Sequence, residues 1–163
     1  QEHTTVDLLP PCTCRDSQLD GVDTRLGADS NGERGVMAEA KKKKHVFSVK
    51  KSKKEWREQL TREEYRILRR GGTQAPGCGE YNRIYPKTGY FACKGCDNPL
   101  YSVNSKFPDS GWVAFDQCYW SKGECHVGTR RDGIGIELIC NRCAGHLGHV
   151  FYGENHTAKN ERH

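Results

Sequence analysis

Two CxxC pairs, Cys93-Lys94-Gly95-Cys96 and Cys140-Asn141-Arg142-Cys143, constrain this chain more than any other feature. Each follows an apolar, strand-like segment, GYFAC or GIELIC, and each precedes small or turn-forming residues. Two such knuckles brought together set four thiolates at tetrahedral reach of one Zn2+. The stretch between them, residues 97–139, is longer than in a compact zinc ribbon and can hold strands of its own. The metal would therefore join two sheets, or two ends of one. A closed four-sulfur site leaves no position for water, so the expected zinc is structural and its binding free energy becomes folding free energy. The competing reading, a redox CxxC, needs its first thiol at a helix N-terminus, and neither motif has that context.

A staple suits the composition. The chain has 163 residues, 34% of them hydrophobic, and a mean hydropathy of −0.87, with much of the polarity before residue 54. The core-forming remainder can fold alone, but around a thin core. Nine cysteines are an odd number, so at least one thiol falls outside any all-disulfide scheme within the chain. Pairing in CxxC motifs points to metal rather than to a secreted disulfide scaffold, so an intracellular, reducing setting is expected, cytoplasmic by default with an organelle left open. No run approaches the roughly 18 apolar residues of a membrane span, and no charged start precedes an apolar signal region. The chain does not begin with Met, and Met37, its only methionine, is a candidate start.

Net charge is +5, with lysines concentrated in residues 41–54, KKKKHVFSVKKSKK. That run reads as a solvated linker. It lacks the interleaved aromatics that nucleic-acid binding by base stacking would use, so neither a nucleic-acid nor a membrane partner is expected. Residues 1–52 are accordingly read as a disordered basic tail or linker, with Cys12 and Cys14 as free thiols, and 53–163 as the folded domain.

Within that domain, Trp56, Leu60, Tyr65 and Leu68 recur at helix-like spacing, with a break near Thr61. Thr61 followed by Glu64 fits a capping box, which predicts two short helices, 53–60 and 62–70, the second ended by Gly71-Gly72. After Gly72, short segments rich in Tyr, Phe, Val and Ile alternate with Gly, Pro, Asn and Asp. Strands are predicted at 89–93, 99–103, 112–115, 124–130, 134–140 and 146–152, which argues for an antiparallel, mainly β domain.

From Trp56 onward the order of motifs resembles the type B methionine sulfoxide reductases. The landmarks are EWREQLTREEYRILRRGGTQAPGCGEYN (55–82), GYFACKGCDNPLY (89–101), SKFPDSGWVAF (105–115), RRDGIGIELICNRCAGHLGHVFYGE (130–154) and KNERH (159–163). The resemblance implies two antiparallel sheets with short N-terminal helices, stapled by a four-cysteine zinc site in the Mss4-like or β-tent manner. It implies an oxidoreductase of protein repair and oxidative stress, a monomer that reduces the R epimer of methionine sulfoxide, in proteins or free. A thiolate or selenolate would attack the sulfoxide sulfur as the oxygen is protonated. Methionine leaves, and a second thiol and then thioredoxin or a similar reductant reset the enzyme.

Residue by residue, Trp112 matches the family's pocket tryptophan, an aromatic wall suited to an S-methyl group. His146 and His149 match its site histidines. Their spacing would put them on opposite faces of a regular strand, so both reach one site only if Gly148 allows a bulge. Phe151 is expected in the pocket lining, on the face of His149. Arg162 matches an arginine just before the family's nucleophile and would favour a thiolate. Cys78, flanked by Gly77 and Gly79, is the candidate resolving thiol, with Cys118 and Cys125 as competitors.

Two departures matter. The family's S-G-x-G-W-P stretch is shortened here to Ser110-Gly111-Trp112-Val113. And the sequence stops at His163, where the family continues with its nucleophile. A fragment, an inactive paralogue and a UGA codon for selenocysteine read as a stop all account for this. The last is favoured, and the 163-residue chain is expected to be inactive. The rival reading is a non-catalytic zinc scaffold that binds a partner.

Overall fold

The helices begin where side chains can satisfy their free N–H groups. In α1 (Lys53–Gln59) and α2 (Arg62–Arg70), capping boxes are complete at both starts: Ser52 with Glu55, and Thr61 with Glu64. The first of these is a Ser-x-x-Glu signal that the sequence reading passed over. Gly71, at φ 66°, ends α2 in the left-handed conformation, where a residue without Cβ is unstrained. The computed structural model describes residues 45–109 and 111–163, and those from Phe47 onward belong to one compact unit. Cys12, Cys14 and the first four lysines of the basic run lie outside the described residues. At the front of the unit, the Val49 N–H donates to the Arg142 carbonyl at 2.9 Å, which ties the chain to the second knuckle.

The rest is antiparallel β structure. The strands are β1 (Tyr90–Ala92), β2 (Pro99–Ser102), β3 (Lys106–Phe107), β4 (Ala114–Phe115), β5 (Trp120–Ser121), β6 (Glu124–Cys125), β7 (Val127–Arg131), β8 (Ile136–Cys140), β9 (His146–Tyr152) and β10 (Glu161–Arg162). They pair as one four-stranded sheet, in the order β10-β9-β8-β7, and as three two-stranded ribbons, β1-β2, β3-β4 and β5-β6. A single turn of 3-10 helix, Val103–Ser105, joins β2 to β3. The ribbons are short because the segments between their turns are short. The strands β3 and β5 carry too few apolar residues to be visible in a search for alternation.

The helices cover the sulfur end of the sheet. Trp56, Leu60 and Leu68 are buried in one cluster with Cys93, Cys140 and Cys143. Trp56 lies so close to Gly95 that a Cβ there would sit 3.3 Å from the indole, so glycine is what permits the approach. Polar bonds fix the same contact: Gln59 Nε2 donates to the Gly95 carbonyl at 2.9 Å, and Arg69 Nη1 to the Cys143 carbonyl at 2.9 Å. Around the central strand β8, Leu138 and Cys140 are almost wholly buried. The aromatic side of the core is Tyr101 stacked on Phe115 at 4.1 Å, with Phe91 edge-on to Phe115.

Candidate active site and metal centre

The two knuckles are built alike. In each, the first cysteine's N–H bonds to a carbonyl five residues on: Cys93 to Asn98 at 2.8 Å, Cys140 to Gly145 at 2.9 Å. The residue after the second cysteine turns back to the first carbonyl, Asp97 to Cys93 and Ala144 to Cys140, both at 2.8 Å. Both of these residues sit in the left-handed region, at φ 56° and 57°. A turn this tight aims both thiols to one side, and β8 and the β1-β2 ribbon bring the two sets together.

All four sulfurs lie within 4.8 Å of one another, and the closest cross-knuckle pairs, Cys93 with Cys143 and Cys96 with Cys140, are 3.7 and 3.6 Å apart. A tetrahedron of sulfurs around zinc has edges of about 3.8 Å, from Zn–S bonds of about 2.3 Å. The donor set therefore fits a metal ion. The surrounding charges agree: hydrogen bonds to Cys140 and Cys143 push the Cys93 thiol up, and burial pushes Cys96 up to about 12. Hydrogen bonds from Cys143 and Cys93 hold the Cys140 thiol down, at about 2. Four thiolates this close require a cation between them.

A second site, a cleft of about 420 Å³, lies beyond the other end of the knuckle that joins β8 to β9. Trp112, His146, His149, Phe151 and Arg162 all line it. The two histidines come together because β9 is irregular. Its register against β8 slips between Leu138 and Ile139, so that His146 faces Ile139 while Gly148 faces Leu138. Leu147 is the extra residue, without a partner on β8, and Gly148 beside it, at φ 141°, adopts a conformation that side chains rarely take. The imidazole centroids are left 5.9 Å apart.

Trp112 is half exposed and fixed by its edge, with Nε1 donating to the Gln74 carbonyl at 2.9 Å. Arg162 is held from three sides. It pairs with Glu154 through Nε at 2.6 Å and Nη2 at 2.9 Å, lies 3.6 Å from Asp109, and stacks over Phe151 at 4.5 Å. The Glu154 bond, set against partial burial, holds its guanidinium above the ordinary range. His163 is carried into the cleft wall by paired backbone bonds with Phe115, at 2.8 and 3.3 Å.

Cys78 is exposed and is not in the cleft lining. Its loop is nevertheless tied to the segment before Trp112, because the Gly77 N–H donates to the Gly111 carbonyl at 2.7 Å. Cys118 and Cys125 are joined as a disulfide across the β5-β6 hairpin. Of the described cysteines outside the four-sulfur cluster, Cys78 is thus the free one.

The sequence reading missed two carboxylates beside the histidines. Glu137 Oε1 accepts from His146 Nδ1, and Asp132 Oδ2 from His149 Nε2, each at 2.7 Å. A signal for Glu137 was present: it is the one charged residue inside the apolar run GIELIC, and a charge inside a buried strand needs a partner.

The SelR domain matches residues 60–163. Peptide methionine sulfoxide reductase B2, chloroplastic, of Arabidopsis thaliana is 45% identical over 118 residues, covering 71% of this chain and 57% of that protein. The B3 chloroplastic protein of Oryza sativa subsp. japonica is 44% identical over 118 residues, covering 71% and 50% respectively. The B5 protein of Arabidopsis thaliana is 43% identical over 117 residues, covering 71% of this chain and 82% of its own length. The chain thus spans about half the length of the first two relatives. No described helix is long and apolar enough to cross a membrane. With the SelR domain over most of its described residues and relatives of this identity, the chain belongs to the type B methionine sulfoxide reductases.

Proposed function

We propose that this protein reduces the R epimer of methionine sulfoxide, in proteins or free, to methionine. The observation that carries the reading is convergence. Trp112, the histidines of β9 and Arg162 come from three separate segments and line one cleft. The indole of Trp112 would hold the S-methyl group, an apolar contact that a charged or small wall would not make. His146 and His149 would bind the sulfoxide oxygen and supply its proton.

The nucleophile is proposed to be a thiol or selenol joined directly after His163; the reading is supported by His163 itself, which lines the cleft and is pinned to Phe115 by paired backbone bonds. Its attack on sulfur releases methionine and leaves a sulfenic or selenenic acid. Cys78 would then condense with that acid, expelling water and forming a disulfide or selenenylsulfide, which thioredoxin or a similar dithiol reduces. Free and exposed, Cys78 can serve this purpose if its glycine-flanked loop swings. The ion proposed for Cys93, Cys96, Cys140 and Cys143 is a structural zinc, which would clamp the two knuckles and take no part in the reaction. The proposed setting is intracellular, the proposed state a monomer, and the proposed role repair of oxidised proteins.

The test is dithiothreitol-driven reduction of a methionine-R-sulfoxide peptide. It compares the 163-residue chain with a form extended by a C-terminal segment that starts with cysteine. Activity only in the extended form is the expected result. Silence in both, with metal bound and the fold intact, would instead favour a non-catalytic zinc scaffold.

A further inference from the structure

Glu137 takes no part in the scheme above and does not line the cleft, yet it is built into it. Its side chain is only 6% exposed. A buried carboxylate is costly unless its charge is met. Arg130, its partner in register on β7, meets it twice: Nη2 donates to Oε1 at 2.9 Å, and Nε donates to Oε2. On the other side, β9 places His149 opposite Glu137 and brings His146 Nδ1 to Oε1. Burial pushes Glu137 up, but the bonds from Arg130 and His146 outweigh it and hold the carboxyl below its usual range.

An ionised carboxylate has no proton to give, so Nδ1 of His146 is the donor. The neutral ring is then the Nδ1–H tautomer, with the Nε2 lone pair left for the cleft. The His149 ring is held the other way round. Asp132 takes N–H bonds from Ile134 and Gly135 at Oδ1, at 2.8 and 2.7 Å, and accepts from His149 Nε2 at Oδ2. One imidazole thus offers Nε2 and its neighbour Nδ1.

We propose that Glu137 is a positioning residue for His146: it fixes the Nδ1–H tautomer, turns Nε2 toward the substrate oxygen, and stabilises the imidazolium from which that oxygen takes its proton. This rests on the reading given under Proposed function. Arg130 keeps Glu137 charged. The other charged or titratable groups facing His146 are His149 on β9, paired to Asp132, and, across the cleft, Arg162, His163 and Asp109. Of these carboxylates, Glu137 is the one bonded to the His146 ring.

The experiment uses the form extended with cysteine after His163, and reads both kinetics and histidine 15N NMR in the same samples. Glu137→Gln keeps the size and removes the charge. It is expected to lower kcat by about 10- to 100-fold, the range of a weakened acid–base step, with KM within about two-fold of the parent. The Nδ1-bound proton signal of His146 moves as well, and Glu137→Asp, which keeps the charge, recovers part of the rate.

Parental kcat in Glu137→Gln, or a loss carried by KM alone, overturns the proposal. Should that variant fail to fold, the parent's own spectrum decides: an Nε2–H tautomer at His146 overturns it and an Nδ1–H tautomer upholds it. Should the extended parent fail to reduce the sulfoxide, the functional reading falls by itself, and the same spectrum still decides whether Glu137 sets the ring.

Discussion

The sulfur cluster and the cleft share two strands and are built in opposite ways. Cys140 ends β8 and His146 begins β9, so one short knuckle separates the two sites. The cluster is closed and local. Each half is a six-residue turn with its own hydrogen bonds, and Trp56, Leu60 and Leu68 cover the result. The cleft is open and assembled from a half-exposed tryptophan, a bulged strand and a chain end pinned to Phe115. The difference separates two demands. One end of the sheet holds the fold, and the other can keep strained backbone, ionised carboxylates and exposed aromatic surface because the first is secure.

The sharpest way to break that division is at a cysteine. Cys140→Ser, or chelation of the native chain, is expected to abolish the cooperative unfolding transition in circular dichroism, since structural zinc sites supply apparent binding free energies of about 10–16 kcal/mol. A variant that stays folded without metal would mean that the cluster is not the staple. Next in size is Trp56→Ala, which removes the buried cover over Gly95. A loss of about 3–5 kcal/mol is expected in urea unfolding.

Gly148→Ala tests the cleft's backbone at φ 141°. About 1–3 kcal/mol of strain is expected in the same assay. The sharper readout is the loss of the histidine pair, seen as altered 15N shifts for His146 and His149. Trp112→Ala should change stability by only about 0.5 kcal/mol, as a half-exposed side chain with one carbonyl bond, while removing most reductase activity in the extended form. If it unfolds the protein instead, the contrast between the two ends fails.

The smallest effect concerns Asp132, whose carboxyl is held at about 2 by the His149 bond first and the Gly135 and Ile134 N–H groups after it. Its folded pKa lies below the unfolded value of about 3.9, so its contribution is full above that pH and is lost as the pH falls through about 2. A 13C carboxylate titration should give that midpoint, and His149→Ala should move it upward.

Much of the fold was legible because it rests on short-range rules. The Thr61–Glu64 box marks the start of α2, and the 146–152 strand agrees with its predicted limits. The short strands β3, β5 and β10 were not legible, because two residues carry no period. In the cleft, Trp112, His146 and His149 were named through motif resemblance, whereas Asp132 and Glu137 were not. Their partners lie 17 and nine positions away, and only strand pairing decides which histidine each one meets. The Cys118–Cys125 disulfide was likewise hidden, since the spacing alone does not say that β5 and β6 fold back on each other.

By itself, then, the sequence determined the four-cysteine cluster, the cap of the second helix and the family, because a CxxC turn or a capping box is complete within a few residues. Only the tertiary structure decided that His146 and His149 share a face, that each imidazole is held by its own carboxylate, and that Arg162 is bound to Glu154. Those facts depend on the register of β9 against β8 and β10, and one slipped residue there turns every following side chain to the opposite face.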